Sequence, residues 1–222
     1  MRLAPTFLND QTQGGVLLST AYFAPVQYYS KLLQSGYVII ERHENYNKQS
    51  YRNRCTIFSA NGLLDLVVPV VKSGQPKIPV TEVEISYDTL WQKQHFKAIE
   101  SAYRRSPFYE FYIDDLTAFF DRRHRYLYEL NMFIMRRICE LMNLPFHVLE
   151  SPHYIQPGEG ITDFRNTIHP KMSRQDADPT FAPPHYTQVF AGKWGFKPNL
   201  SILDLLFHAW TEAKELLALS CR

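Results

Sequence analysis

Residues 41–55, ERHENYNKQSYRNRC, form the densest group of side chains that could bind or activate a substrate. This polar segment lies between two apolar, β-branched runs, yet it contains neither Gly nor Pro and so is not composed like an ordinary turn. Lys48, Arg52 and Arg54 are separated by even numbers of residues, four and two, and in an extended chain Arg52 and Arg54 point to one face. Guanidinium groups offer paired donors that suit a phosphate or a carboxylate. The segment therefore predicts an anion-binding site, with a solvated charged loop as the alternative.

Two further side chains could carry acid–base or nucleophilic chemistry. His95 shares a helical face with Trp91 and Ala98, which is typical of a core histidine. If that face lines a cleft, His95 is the natural general base, because an imidazole titrates near neutral pH. Cys55 would need a neighbouring base and a lowered thiol pKa to act as a nucleophile, and a cysteine that opens a strand is more often a small core residue.

Metal and nucleotide motifs are missing from the sequence. It has no HExxH motif and no paired cysteines, and the nearest approach to a metal-ligand cluster is Glu41, His43 and Glu44. The Rossmann glycines and the P-loop are also absent. We therefore expect no metal site, and nothing in the sequence identifies a cofactor.

The composition indicates a globular protein with few specialised features. Of the 222 residues, 45% are hydrophobic and 14% aromatic, and the formal net charge is only +2, which argues against a dedicated nucleic-acid binder. The three cysteines are far apart and have no CxxC pairing, as is usual for reduced thiols. No apolar run is long enough for a membrane span, and the start lacks a signal-peptide pattern. We expect a cytoplasmic protein without a membrane span or a nucleic-acid partner.

The first part of the chain has the pattern of a βαβ unit. An apolar run at 16–20 is followed by Pro25, which suits the start of a helix at 26–35, and then by an apolar run at 37–40. This order favours a parallel strand pair with a right-handed crossover. Ligands of such sheets bind beyond the carboxyl ends of the strands, and the polar segment 41–54 lies there.

The next part predicts a hairpin and then helices. Runs at 55–59 and 63–70 flank Asn61-Gly62, which is the strongest short signal for a β-hairpin. The aromatic stretch after Pro107 is a short helix or a packed loop. The other periodic runs predict a strand at 81–86, a helix at 89–104 capped by Asp88, a long helix ending near Leu141, and a short strand at 146–149.

The predicted fold class is α/β, with a small parallel-to-mixed sheet, packed helices, a β-hairpin and an irregular C-terminal lobe. We expect an α/β core at 1–150, an irregular covering segment at 151–198 that is rich in proline, and a helical element at 199–222 that packs on the core. The helix that begins LSILDLLF is apolar on nearly every side. Residues 201–207 are therefore expected to be buried, either in the domain or at a homo-oligomer interface.

Several ordered motifs together carry a resemblance to a family. They are YFAPVQYYSKL, then E-x-x-E-x-Y-x-K-x-x-YRNRC, the Asn-Gly hairpin ending LVVPV, and W-x-x-x-H-F-x-x-I-x-x-AYRRSPFY. This order resembles the WbqC-like family of bacterial proteins, and the closing LSILDLLF resembles the tail of its Bacteroidetes-type members. The match covers about residues 16–145 and, less closely, 199–217.

The resemblance implies a role in surface-polysaccharide (O-antigen type) biosynthesis, as a cytoplasmic transferase that moves an acyl or aminoacyl group onto an amino-sugar nucleotide. The residues of this chain that fall on characteristic positions of the family are Tyr22, Pro25, Tyr46, Lys48, Arg52, Asn53, Arg54, His95, Tyr103 and Pro107. Many relatives have Gln-Pro where this chain has Thr20-Ala21, so the substrate is expected to differ.

The residue types and the resemblance together give a working hypothesis for the site. Lys48, Arg52 and Arg54 hold a phosphate or carboxylate of a small-molecule substrate, and His95 deprotonates an attacking amine. The remaining predicted site residues orient the amine, line the pocket or contact the substrate, and they are Glu41, Glu44, Tyr22, Tyr46, Pro25, Asn53 and Tyr103. The alternative is a non-catalytic module of the same pathway that binds a sugar nucleotide or another protein.

Overall fold

A computed structural model describes residues 14–158, 160–171 and 178–220. The chain is a mixed α/β protein, as predicted. The strands in this described part are β1 (Val16–Ser19), β2 (Val38–Glu41), β3 (Arg54–Ser59), β4 (Gly62–Val67), β5 (Val148–Glu150) and β6 (Thr162–Asp163). Its α-helices in the described ranges are α1 (Val26–Gln34), α2 (Trp91–Tyr103), α3 (Tyr109–Asp121), α4 (Leu127–Leu141), α5 (Ala191–Trp194), α6 (Ile202–Ala209) and α7 (Ala213–Leu219).

The central sheet has the order β5–β2–β1–β6, and every neighbouring pair is parallel. The βαβ unit of β1, α1 and β2 is confirmed, with Pro25 at the N-cap of α1 at a φ of −68°. Strand β2 continues into Glu41, so the polar segment begins at the carboxyl edge of this sheet. The outer strand β6 comes from the segment that the sequence marked as irregular, and it contains only two residues.

The predicted hairpin is also confirmed. Strands β3 and β4 pair antiparallel with Ser59 opposite Gly62, and Gly62 has a φ of +101°, which a residue with a side chain rarely adopts. The predicted strand at 81–86 is wrong in large part. The chain there forms a short 3₁₀ turn at Val80–Glu82 and only isolated bridges at Glu84 and Ile85.

Helices α2 and α4 lie where their periodicity predicts, and the aromatic stretch after Pro107 is a full helix, α3. The predicted cap of α2 is wrong, because the helix begins one residue after Leu90. The Asp88 carboxylate instead accepts a hydrogen bond from Ser86 Oγ at 2.8 Å. No helix in the described ranges combines the length and the apolar character needed to cross a membrane.

The apolar helix α6 is buried in the core of the fold. Residues 201–207 are all at most 2% exposed, and α6 packs against α1, α3 and β3. The predicted homo-oligomer contact through 201–207 is therefore corrected: the chain's own core already covers this segment. The boundaries 1–150, 151–198 and 199–222 stay a prediction.

Candidate functional site

At the carboxyl end of β1, Arg52 is already paired within the chain. Its Nε donates to Glu44 Oε1 at 2.8 Å, and its Nη2 donates to Ser19 Oγ at 2.6 Å as well as to Glu44 Oε2. Asn131 of α4 fixes the backbone by donating to the Arg52 carbonyl at 2.8 Å. The side chains of Arg52 and Glu44 are only 8% and 9% exposed. The Arg52 charge is thus neutralised by a buried carboxylate, and the geometry does not offer it to a ligand.

Glu41, at the end of β2, has a similar position one strand away. Its carboxylate is fully buried and accepts hydrogen bonds from Ser151 Oγ at 2.7 Å, the Ile155 amide at 2.9 Å and Arg165 Nη1 at 3.2 Å. Arg165 in turn holds Asp163 through its Nε and Nη2. Glu41 therefore fastens residues 151–165 across the carboxyl edge of the sheet.

Between these two ion pairs lies a small cavity lined by Ser19, Thr20, Tyr28, Arg52 and Arg165, among others. Its volume of about 10 Å³ is the space of about one water molecule. The Thr20 hydroxyl oxygen is buried there, and none of the described residues gives it a hydrogen-bond partner. The protein's own side chains therefore fill the edge of the sheet where the sequence predicts a substrate.

His95 does not line a cleft. It is 6% exposed, its Nδ1 lies 2.9 Å from the Tyr22 hydroxyl, and its ring packs at 5.1 Å from that of Trp91. Burial lowers the pKa of His95 to about 4, and a hydrogen bond to the Val67 carbonyl opposes the shift only in part. The imidazole is neutral and enclosed at neutral pH. Its assignment as general base stays a prediction that this geometry does not favour, and the same holds for Tyr22 as a pocket residue.

Arg52 and Arg54 do not share a face, because residues 51 and 52 form a turn and β3 begins only at Arg54. Arg54 instead points toward Asp65 of β4, with an Nη1–Oδ2 distance of 3.7 Å. Asn53 donates from Nδ2 to the Val68 carbonyl at 3.0 Å and is buried. The predicted pair of guanidiniums is therefore not formed.

Pro25 and Tyr103 also make contacts that hold elements of the fold together. Pro25 forms a β-bridge with Ser201, which ties the start of α1 to the C-terminal segment. The Tyr103 hydroxyl oxygen accepts the Phe58 amide at 3.2 Å, and its ring, 1% exposed, packs on Phe207. Their assignment as substrate contacts stays a prediction.

Tyr46 and Lys48 are the predicted residues that meet at an open groove, which we call the Lys48 groove. Its volume is about 300 Å³. It is lined by Tyr46, Lys48, Val70, Val71, Lys72, Ser73, Gln75, Pro76, Ile78 and Val83. The Tyr46 amide donates to the Ile78 carbonyl at 2.8 Å, and the Val80 amide donates to the Glu44 carbonyl at 2.9 Å. These bonds hold the polar segment and the 70–80 loop on opposite sides of the groove.

The Lys48 groove is electropositive. No Asp or Glu lines it, and within the described ranges no carboxylate lies at ion-pair distance from Lys48 or Lys72. Burial raises the pKa of Tyr46, with Arg54 and Arg52 opposing the shift, so its phenol is neutral. Val70, Ile78 and Val83 supply apolar surface beside the two ammonium groups. Such a lining suits an anion with an organic part.

Other chemical candidates are less well placed. Cys55 is 1% exposed, and burial raises the pKa of its thiol far above the usual range, which suits a core residue and not a nucleophile. In the described part of the chain, no group of three or more His, Cys, Asp or Glu side chains could hold a metal ion.

Sequence reasoning missed Arg165, Asp163, Ser19 and Lys72. Arg165 and Asp163 lie in a segment without periodicity, and only their opposite charges two residues apart could have drawn notice. Lys72 belongs to a loop whose lysines were visible in the sequence, but its position opposite Lys48 depends on the pairing of residues 44–46 with 78–80.

The fold and the site together define an α/β protein with a filled sheet edge and a basic, ligand-sized groove beside it. The model of the WbqC-like protein family matches residues 20–169, which is more than half of the chain, and the protein belongs to this family. It is similar to the uncharacterized protein Rv1507c of Mycobacterium tuberculosis, with 26% identity over 204 residues that cover 81% of this chain and 86% of the relative. No solved structure matches the chain.

Proposed function

We propose that this protein binds a small, phosphate- or carboxylate-bearing molecule in the Lys48 groove, and that this molecule is a nucleotide-linked amino sugar of surface-polysaccharide biosynthesis. The observation that carries the proposal is the convergence of Tyr46, Lys48 and Lys72 on one groove without a carboxylate. The sugar-nucleotide class and the pathway come from the family resemblance.

The groove has the properties of a ligand site for an organic anion. Its volume of about 300 Å³ lies at the lower end of small-molecule pockets, enough for the phosphates and one ring of such a ligand. Lys48 and Lys72 have no ion-pair partner among the described residues, so their ammonium groups can bind phosphate oxygens with no loss of an ion pair seen there. Arg52 and Arg54 face carboxylates of their own, so Lys48 and Lys72 take the role that the sequence assigned to the arginines.

Replacing Lys48 by Gln is expected to weaken binding of UDP-N-acetylglucosamine by at least tenfold, because a charge-assisted hydrogen bond contributes roughly 1.5–3 kcal/mol. The measurement is isothermal titration calorimetry of the wild type, Lys48→Gln and the double variant Lys48→Gln/Lys72→Gln, in which binding is expected to weaken further. Lys214→Gln, an exposed lysine on α7, is the matched control and keeps the wild-type affinity. Equal affinities in all four proteins, or no binding to the wild type, would refute the proposed site.

Transfer of an acyl or aminoacyl group onto the bound amino sugar is the second candidate function, and one observation favours it. The groove is formed by the segment that leaves the carboxyl end of β2, which is where α/β enzymes bind substrates. An amine must lose its proton before it attacks, and the predicted base, His95, is enclosed. Transferase activity and a cytoplasmic location of the protein therefore remain proposals.

Mass spectrometry of a nucleotide-linked sugar with a free amino group, such as UDP-glucosamine, after incubation with acyl-CoA or with an aminoacyl donor tests this activity directly, because the nitrogen of UDP-N-acetylglucosamine is already acylated. Formation of the amide by the wild type, lost in Lys48→Gln, would support the transferase. Binding without any amide product would identify a non-catalytic module that holds the sugar nucleotide.

A further inference from the structure

A second basic groove lies at the other end of the β3–β4 hairpin, and we call it the Arg104 groove. Its volume is about 440 Å³. It is lined by Ala60, Lys97, Glu100, Ser101, Ala102, Arg104, Arg105, Val189 and Phe190. One wall is the C-terminal half of α2, and the other is the hairpin turn with residues 189 and 190.

The cationic wall follows from helical spacing. Lys97, Ser101, Arg104 and Arg105 are separated by four, three and one residues, which places them along one exposed strip of α2 and its C-terminal end. In the part of the chain that the structure describes, no carboxylate lies at ion-pair distance from Lys97, Arg104 or Arg105. Cations at a helix C-terminus also stabilise the helix dipole, but that role does not require a facing wall.

The facing wall is built and held in place by specific contacts. Trp194 Nε1 and Lys193 Nζ both donate to the Ala60 carbonyl, at 3.1 and 3.2 Å, and the Phe190 ring packs edge-on against Phe58 at 5.7 Å. On the core side, the Val189 amide donates to His208 Nε2 at 3.1 Å. The groove therefore has two fixed walls and is not a gap between mobile side chains.

We propose that the Arg104 groove is a binding site for a phosphorylated small molecule whose neighbouring phosphates are held by Arg104 and Arg105. Two guanidiniums can hold phosphate oxygens through paired, parallel hydrogen bonds, and Lys97 adds a third charge, against a single carboxylate, Glu100, in the lining. Phe190 and Val189 offer apolar contact to an organic part. The concave shape and the volume fit a small molecule better than a flat lipid surface.

This site is separate from the Lys48 groove. Ala60 lies in the turn of the hairpin, whereas Val70 and Val71, which line the Lys48 groove, follow β4 at its other end. Six residues of extended chain span about 20 Å, so one small ligand does not fill both grooves. Binding at one groove can therefore be tested independently of binding at the other.

Calorimetric titration of the full chain with inorganic pyrophosphate at low salt tests the proposal. We expect saturable binding to the wild type that weakens at least tenfold in Arg104→Gln/Arg105→Gln. Arg104→Lys/Arg105→Lys should bind with intermediate affinity, because it keeps the charge and loses the paired donors. Both positions are exposed, so these variants are expected to stay folded, which circular dichroism verifies.

The controls separate this site from general attraction and from the Lys48 groove. Lys214→Gln, at an exposed position outside both grooves, is expected to bind pyrophosphate as the wild type does. The titrations are repeated in a Lys48→Gln/Lys72→Gln background, where the weakening caused by Arg104→Gln/Arg105→Gln is expected to persist. The proposal would be overturned if Lys214→Gln weakened pyrophosphate binding equally, or if Arg104→Gln/Arg105→Gln bound as tightly as the wild type. It would also be overturned if the wild type showed no saturable binding. If the protein co-sediments with phosphatidylglycerol vesicles but does not bind pyrophosphate, the groove would be a membrane-binding surface and the proposal would be overturned.

Discussion

Replacing Glu41 by Ala is expected to lower the free energy of unfolding by about 3–5 kcal/mol, the usual cost of removing one partner of a buried, hydrogen-bonded ion pair. The carboxylate is fully buried and accepts hydrogen bonds from Ser151, Ile155 and Arg165. Without it, the Ser151 hydroxyl and the Ile155 amide lose their acceptor, and Arg165 loses one of its two carboxylate partners while it keeps Asp163 and the Ile155 carbonyl. Glu41→Gln does not repair the loss, because its amide donors would face donors.

Urea denaturation measures the loss, and Glu150→Ala is the matched control. Glu150 lies on the neighbouring strand β5 and pairs with Arg42 at 2.9 Å, but these side chains are 41% and 45% exposed. Such a surface pair contributes about 0–1 kcal/mol. Amide hydrogen exchange should also quicken at 151–165 in Glu41→Ala and not in the control. A Glu41→Ala protein as stable as Glu150→Ala would mean that this carboxylate does not fasten the covering segment.

The arginines that pair with carboxylates differ from the lysines that line the Lys48 groove, and this difference explains much of the site. A charge in a sequence indicates either a ligand contact or an ion pair, and the residues that decide between them are often distant. Arg52 pairs with Glu44, eight residues away, whereas Arg165 pairs with Asp163, two residues away, and also with Glu41, 124 residues away. Lys48 is interpreted as a ligand contact because no carboxylate of residues 14–158, 160–171 or 178–220 lies at ion-pair distance from it, which the sequence alone does not show.

Local patterns, by contrast, predicted most of the fold. The βαβ unit, the hairpin at Asn61-Gly62 and the long helix α4 each depend on turn chemistry or periodicity within a short window. Strand β6 was not predicted, because two residues are too few to show an alternating hydrophobic pattern. Its pairing with β1 joins residues that are far apart in the sequence. The hydrogen-bond partner of His95 is likewise distant in sequence, since Tyr22 lies 73 positions away.

Lowering the pH from 7 to 4.5 is expected to cost the wild type roughly 2–3 kcal/mol of stability through His95 alone. Its pKa is about 4 in the folded protein against 6.5 for an exposed imidazole, so between these values the unfolded state binds the proton and the native state does not. Stability from this group is therefore fully present above pH 6.5 and is lost as the pH falls toward 4. Asp204 acts in the opposite direction, since burial raises the pKa of its carboxyl group, so its contribution weakens the native state as the pH rises.

Comparison of His95→Gln with the wild type isolates this contribution, because all other titrating groups are common to both proteins. Urea midpoints at pH 7 and 4.5 should differ less in the variant, while His153→Gln, at an exposed position, should keep the wild-type difference. An NMR titration of the His95 ring gives a second reading. A midpoint near 6.5 would place the imidazole in contact with water and restore it as a candidate base. A midpoint near 4 would leave it as the buried partner of Tyr22, and catalysis by this protein would then need a base from another residue or from the substrate itself.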